Sequence, residues 1–375
     1  MRSKRAWGIV AFFAIFVGLI MVSLGLVLYY TGHPSVKIIV PRERFIVEEA
    51  IRDIEIESSF ADVKIVISSS KSPRSVFEVP YGEQLYCEHE LVQGKLTIRL
   101  VDERAWYEKM GDHHIKEDST IVLHLPFSYC YGDLTIKTAS GDVYVPYAEY
   151  SKKNNSFAFE TVNVETASGD IDFCAGVAMS GVSYGSASFT TKTGDVKLEG
   201  IRNAPLRVET STGDIKLINS SFEGDVELYT ASGEVQLSNV SLSKSDIIYI
   251  KAFSGDVDFF NVDAGAVKVE TDTGDVELSN VVIQGAGLRP NGHSLMGGDL
   301  RIETDTGDVE LKRSDAQSLF VTTDTGDVEI ELLTGKYYSV KSDTGDVKHP
   351  EHDQHHGQCH VTTDTGDVEI TVVPQ

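Results

Sequence analysis

Eleven times between residues 138 and 370 the chain spells a short motif close to T-x-[ST]-G-[DE]-[VI], and the spacing of those copies constrains the fold more than any other feature. The copies include TASGDVYV at 138–145, TKTGDVKL at 191–198, TASGEVQL at 230–237, AFSGDVDF at 252–259 and TDTGDVEI at 323–330 and 363–370. Their glycines are Gly141, Gly169, Gly194, Gly213, Gly233, Gly255, Gly274, Gly307, Gly326, Gly345 and Gly366. Successive gaps are 28, 25, 19, 20, 22, 19, 33, 19, 19 and 21 residues, so the base period is 19 and the longer gaps are insertions. A fixed period of this length marks a repeat architecture, in which each unit buries its apolar face against its neighbours.

Within one unit, Leu319, Val321 and Thr323 alternate with Phe320 and Thr322, and Val328, Ile330 and Leu332 alternate with Asp327, Glu329 and Glu331. Alternation with period two means strands with one face inward. Nineteen residues hold two strands and two turns but no helix. The pattern predicts an all-β, parallel β-solenoid of about 12 short two-stranded rungs stacked ~4.8 Å apart, over residues 137–375. By parity Thr323 and Thr325 point inward. Residues 41–136 read as an N-terminal capping and strand region, with SSFADVKIV at 58–66 as a degenerate copy carrying Ala61 in place of glycine, and KLTIRL and TIVLHL as further strands. The chain ends on ITVVPQ, which would leave the last rung's edge open to another copy.

The corner residues invite a reading each. Glycine suits a sharp turn because it tolerates positive φ. The flanking Thr and Ser can bond local backbone groups. The Asp after glycine is replaced once, by Glu234. Stacked in register, like charges ~5 Å apart repel by on the order of 1 kcal/mol per neighbour in water. Backbone N–H groups at the corner offset this most simply; bound calcium or another cation is the alternative.

Composition narrows the partners. The 375 residues carry a formal charge of −24. Residues 1–136 hold 15 Lys and Arg against 18 Asp and Glu; residues 137–375 hold 18 against 39. A surface of that sign repels phosphate backbones, which argues against nucleic acid. Residues 6–30 are uncharged and apolar, long enough to span a bilayer as a helix, with Trp7 at one end and Tyr29 and Tyr30 at the other. Arg2, Lys4 and Arg5 precede them. This predicts a cytoplasmic tail over 1–5, a single transmembrane helix over 6–30, a linker over 31–40 and an extracytoplasmic body at the cell membrane. The four cysteines, Cys87, Cys130, Cys174 and Cys359, show no paired spacing and allow three connectivities.

The T-A-S-G-D-V and T-D-T-G-D-V-E-[LI] arrays, the stretch EEAIRDIEIESSFADVKIV at 48–66 and GDLTIKTASGDV at 132–143 resemble the DUF4097 family, bacterial β-strand-repeat proteins described as candidate adhesins. The likeness covers about residues 40–375. It implies a cell-envelope protein with no catalytic residues to carry over. Expected partners are the membrane, through the N-terminal helix, and an envelope polysaccharide, peptide or protein, with a homo-oligomer through the C-terminal rung as a further prospect.

Two places break the repeat. The segment KHPEHDQHHGQCH holds His349, His352, His355, His356, Cys359 and His360, side chains that suit zinc, at spacings that match no standard structural zinc motif. A solvated polar loop is the plainer reading. The glycine-rich insertion at 280–298 lacks a P-loop lysine and reads as a surface loop. No G-x-S-x-G or H-E-x-x-H occurs. The sequence therefore points to a non-enzymatic, membrane-anchored binding or envelope-stress-sensing module, with a carbohydrate-active β-helix enzyme and a self-assembling surface protein as the alternatives.

Overall fold

The structure is a computed structural model that describes residues 41–68, 74–82, 84–104, 119–126, 130–146, 158–174, 185–202, 204–285, 298–353 and 357–373. The apolar span at 6–30 and histidines 355 and 356 lie outside the described residues. Among those described, no helix is long and apolar enough to cross a membrane, and the assigned elements are strands, gathered in sheets of 15 and 14.

Each motif copy carries the chain from the 14-stranded sheet, round a corner, into the 15-stranded sheet. In one copy the strand Ser318–Thr325 enters the corner at Gly326 and Val328–Leu332 leaves it. Successive copies pair in parallel and in register, so that Leu300 lies beside Leu319 and Val309 beside Val328. This puts inward residues of equal rank in columns. Ile136, Val164, Phe189, Val208, Leu228, Ile250, Val269, Ile302, Val321 and Val361 form one such column, all at most 1% exposed. One long contiguous apolar core results, fed by both sheets, with Ile247 and Ala266 as a small separate pair. Each side chain is sealed by the rungs above and below, so burial and parallel pairing reinforce one another.

A second corner stands six residues after many of the glycines. Gly200, Asn219, Asn239, Asn261, Asn280 and Arg313 have φ of 73°, 51°, 55°, 58°, 55° and 49°. Asparagine visits this left-handed region more readily than most residues because its short amide bonds locally. Here the amides also bond between rungs: Asn239 Nδ2 donates to Asn219 Oδ1 at 3.0 Å and Asn261 Nδ2 to Asn239 Oδ1 at 2.9 Å. The bend shifts the alternation by one, so Val240 and Val262 face inward just after it. A rung is thus a bent figure rather than two straight strands.

The rung order departs from sequence order at both ends. The strands Lys95–Asp102 and Thr120–Pro126 make a rung that lies outside the Ala61 rung, on the side away from Gly141. Beyond it the strands Arg42–Val47, Ser75–Pro80 and Leu85–Val92 close the stack by antiparallel pairing. Thirteen parallel rungs result among the described residues, against the twelve read from sequence. At the far end the strand Gln358–Thr365 sits between Ser318–Thr325 and Tyr337–Thr344, and Val368–Val372 likewise sits between its neighbours. The last rung in sequence is therefore next to last in space. The Gly345 rung covers the last strand only in part: its second strand, Val347–Lys348, pairs with Val368 and Glu369 and stops short of ITVV. The crossing is held where Lys336, 2% exposed, meets Asp315 Oδ1 at 2.5 Å and Thr334 Oγ1 at 2.7 Å, and where Asp353 N donates to Lys336 O.

Candidate functional site

The corner column is the feature most repeated, and its geometry shows that it builds the fold. A Cβ placed on Gly213 would sit 1.9 Å from the carbonyl oxygen of Gly194, and the same clash, at 2.0 to 2.1 Å, recurs at the other ten corner glycines against the preceding corner in the stack. Close approach of backbone to backbone, rather than the positive φ expected from sequence, is what excludes a side chain. Of the eleven, only Gly255, Gly345 and Gly366 have positive φ, near 155°, and the other eight meet the same clash without it. Ala61 stands in place of glycine at the start of the column, and its carbonyl oxygen is the one that a Cβ on Gly141 would meet at 2.0 Å.

The first residue of ten of the eleven motifs is inward and buried, Thr363 fully so, while Ser342 in the Gly345 copy is half-buried. The threonine hydroxyl at this position donates to the corner carbonyl of the rung below: Thr191 to Gly169 at 3.1 Å, Thr210 to Gly194 at 3.1 Å, Thr230 to Gly213 at 3.2 Å. Thr323 faces inward as parity predicts, but Thr325 does not, because the strand turns at the corner before the alternation reaches it.

The corner carboxylates form a ladder. Asp142 Oδ1 accepts the backbone N–H of Asp170 at 2.9 Å, Asp170 accepts that of Asp195, Asp195 that of Asp214, and the chain of bonds runs on through Asp327 to Asp367 and Asp346. Each negative charge is thus offset by a donor on the next rung, the simpler of the two readings from sequence. The ladder breaks once. Glu234 turns its carboxylate to Gln236 Nε2 and to Asp258 instead. Burial and then the Glu234 carboxyl push Asp258 up to about 6.

With the corners engaged, the outward columns carry the variation. The second motif position is Ala139, Ala167, Lys192, Ser211, Ala231 and Phe253 in the first six copies and Asp272, Asp305, Asp324, Asp343 and Asp364 in the last five. Residues 137–254 hold ten Lys and Arg against 15 Asp and Glu, a balance of −5, whereas 255–375 hold eight against 24, a balance of −16. The acidic wall is concentrated on the C-terminal rungs, where Lys312 Nζ bridges Glu277 at 3.1 Å and Glu310 at 2.7 Å. Phe253 and Phe260, on the rung beside the ladder break, are 63% and 54% exposed. A cleft of about 580 Å³ runs across the N-terminal rungs. Sequence reasoning missed it, although the change from TAS to TDT copies was its signal.

The histidine-rich segment divides. Cys359 points into the core in register with Leu319 and Tyr338, and burial pushes its thiol up to about 12, while His360 is exposed on the outer face of the same strand beside Phe320. His349 and His352 stack on Tyr338 and Tyr337, and His352 Nδ1 accepts the N–H of Tyr338 at 3.2 Å. Among the described residues no three of His, Cys, Asp or Glu stand together as metal ligands would. Cys87, Cys174 and Cys359 are free thiols.

The Toastrack DUF4097 pattern matches residues 51–248 and again 240–375. The chain belongs to that family. No curated protein matches it. Among solved structures, a candidate adhesin from Bacteroides fragilis is 10% identical, with 88% of this chain and 97% of that one covered and a TM-score of 0.29. A candidate lipid-binding protein from Parabacteroides distasonis is 12% identical, with coverage of 88% and 97% and a TM-score of 0.30. A candidate cell adhesion protein from Clostridium sporogenes is 8% identical, with coverage of 89% and 99% and a TM-score of 0.19. Overlays at these scores say nothing of function.

Proposed function

We propose that this Toastrack chain is a non-enzymatic binding module of the cell envelope, held at the membrane by residues 6–30 and presenting its solenoid outward as an adhesin-like or stress-sensing surface. One observation carries the reading: the recurring carboxylates of the repeat are engaged as acceptors of backbone N–H groups, rung after rung. Each of these carboxylates does the same structural work on its own rung, and none is set apart from the others as a general acid or base would be. What is left free is a graded outer surface on a rigid column about 58 Å long, if thirteen rungs are spaced at ~4.8 Å.

The test uses the full chain in detergent micelles, mixed with intact bacterial envelopes with and without divalent cations. Retention on the envelopes, without release of soluble sugar, is the expected result. Turnover of an envelope polysaccharide that one carboxylate substitution abolishes would overturn the reading in favour of a β-helix enzyme.

A further inference from the structure

We propose that Lys336 and Asp315 condense into an intramolecular amide, a covalent tie between the Gly307 rung and the start of the Gly345 rung. Lys336 Nζ stands 2.5 Å from Asp315 Oδ1, and the two side chains are 3% and 14% exposed. The Lys336 backbone is pinned at both of its polar groups: Tyr338 Oη accepts its N–H at 3.2 Å, and Asp353 N donates to its carbonyl at 2.8 Å. Asp353 also packs against Gly335, where an added Cβ would meet the Asp353 Cβ at 3.0 Å. The amine is therefore held against the carboxyl in a dry place.

Two buried charges lose hydration that their attraction does not fully return. Condensation to an amide removes both charges at once. Lys341 and Asp343 supply the contrast within the same rung. They too stand 2.5 Å apart, but their side chains are 68% and 55% exposed, so water keeps that pair ionic.

The polar groups around the Asp315 carboxyl are placed for the step. Ala316 N donates to Oδ1 at 2.8 Å, Thr334 Oγ1 donates to Oδ2 at 2.6 Å, and Lys336 Nζ donates to Thr334 Oγ1 at 2.7 Å. Proton transfer within the pair first gives an amine and a carboxylic acid. Nζ attacks Cγ, and the charge that develops on Oδ1 meets the Ala316 N–H. The Cγ–Oδ2 bond then breaks. Oδ2 leaves as water, with the proton of the acid and one from Nζ relayed through the Thr334 hydroxyl. One ammonium and one carboxylate thus give one amide and one water, with no change of oxidation state. Fixed contact of this kind raises the effective concentration of a reacting group to as much as about 10⁵–10⁸ M. In the product Oδ1 keeps the Ala316 N–H, and the new amide N–H has Thr334 Oγ1 as acceptor. The tie spans the segment that skips a level, so the end rung cannot peel away without carrying Asp315 with it.

The experiment measures the intact mass of the full chain, purified in micelles and then denatured, and maps its peptides. The expected mass is one water below that of the sequence. Trypsin cuts after free Lys and Arg, so a linked Lys336 resists it. The chain should yield the peptide Ser314–Lys341, one water light, with Lys341 cut as usual. Cutting that peptide after Glu329 and Glu331 with a glutamate-specific protease should leave its two ends joined. Lys336→Met and Asp315→Ala should each restore the mass of the sequence. If either variant fails to fold, the peptide map of the unaltered chain decides alone. An intact mass equal to the sequence after the folded chain has stood for days, cleavage after Lys336, or a missing water that maps to another pair of residues would each overturn the proposal.

Discussion

Gly366 stacks on Gly326 and not on Gly345: a Cβ at Gly366 would meet the Gly326 carbonyl oxygen at 2.0 Å, and one at Gly345 would meet that of Gly366 at 2.1 Å. The chain skips a level after Leu332, lays down the Gly345 rung, and returns to fill the space beneath it. The final rung, with Val361, Thr363, Val368 and Ile370 all buried, is thereby paired on both sides along its first strand and at the start of its second. The weaker Gly345 rung, whose strand Tyr337–Thr344 is mostly outward or half-buried, takes the exposed end.

This order is testable by cross-linking. Thr322 pairs in register with Thr362, and Lys341 pairs with Thr362 from the other side. Thr322→Cys with Thr362→Cys should therefore form a disulfide under mild oxidation, since neighbouring Cα atoms in a sheet fall within the ~4.4–6.8 Å that the bond needs. Thr322→Cys with Lys341→Cys should not, being two rungs apart. A sequential stack would give the opposite pattern by gel mobility.

The period of nineteen made the columnar core and the parallel register legible before any coordinates, because Val328 and Ile330 alternate cleanly with charged neighbours. The rung order was not legible. Gly345 and Gly366 copies are nearly identical in sequence, so nothing local distinguishes consecutive stacking from insertion; the choice rests on tertiary contacts such as Lys336 with Asp315. The Asn corner was equally hidden, since Asn219 and Asn239 sit inside apparent strands. Cys359 was grouped with histidines by spacing, yet its parity with Val361 already placed it inside.

The corner glycines give a position-dependent prediction. Gly213→Ala forces apart two rungs that are each clamped from both sides, and should cost more than about 3 kcal/mol, in the range of severe core disruption. Gly345→Ala meets a similar contact, but its rung is held on one face alone and can lift away. Denaturant unfolding should show a large loss for the first variant and a clearly smaller one for the second. A larger loss at Gly345, which has positive φ where Gly213 does not, would mean that backbone conformation, not stacking distance, is the constraint.

The titration of Asp258 makes a prediction with a definite sign. Its carboxyl is held up to about 6 in the folded chain by burial and by Glu234, against 3.8 for an ordinary Asp. The folded state therefore binds more protons than the unfolded state between about pH 4 and 6, and stability falls as pH rises through that window and is flat above it with respect to this group. Asp258→Asn should remove that fall and raise the melting temperature at pH 7 more than at pH 4. Melting curves across this range for the two proteins check it; an unchanged difference between pH 4 and pH 7 would refute the assignment.

The one corner without an inward hydroxyl offers a gain of stability. Ala252 is buried at 1% exposure and stands in register beside Thr230 and Thr271, at the place where the neighbouring rungs carry a hydroxyl aimed at the corner carbonyl below. The carbonyl it would address is that of Gly233, next in the stack. Ala252→Thr adds that donor together with a β-branched side chain that suits a strand. A neutral intramolecular hydrogen bond contributes about 1 kcal/mol, and the reverse change, Thr210→Val, should cost a similar amount because the Gly194 carbonyl loses its 3.1 Å donor. Native-state hydrogen exchange resolves the two, with slower exchange expected around Gly233 and Gly255 in the first variant and faster exchange around Gly194 in the second. If Ala252→Thr instead destabilises the chain, the methyl at 252 is filling space that the rung cannot widen, and the hydroxyl column is a tolerance of the fold rather than a source of its stability.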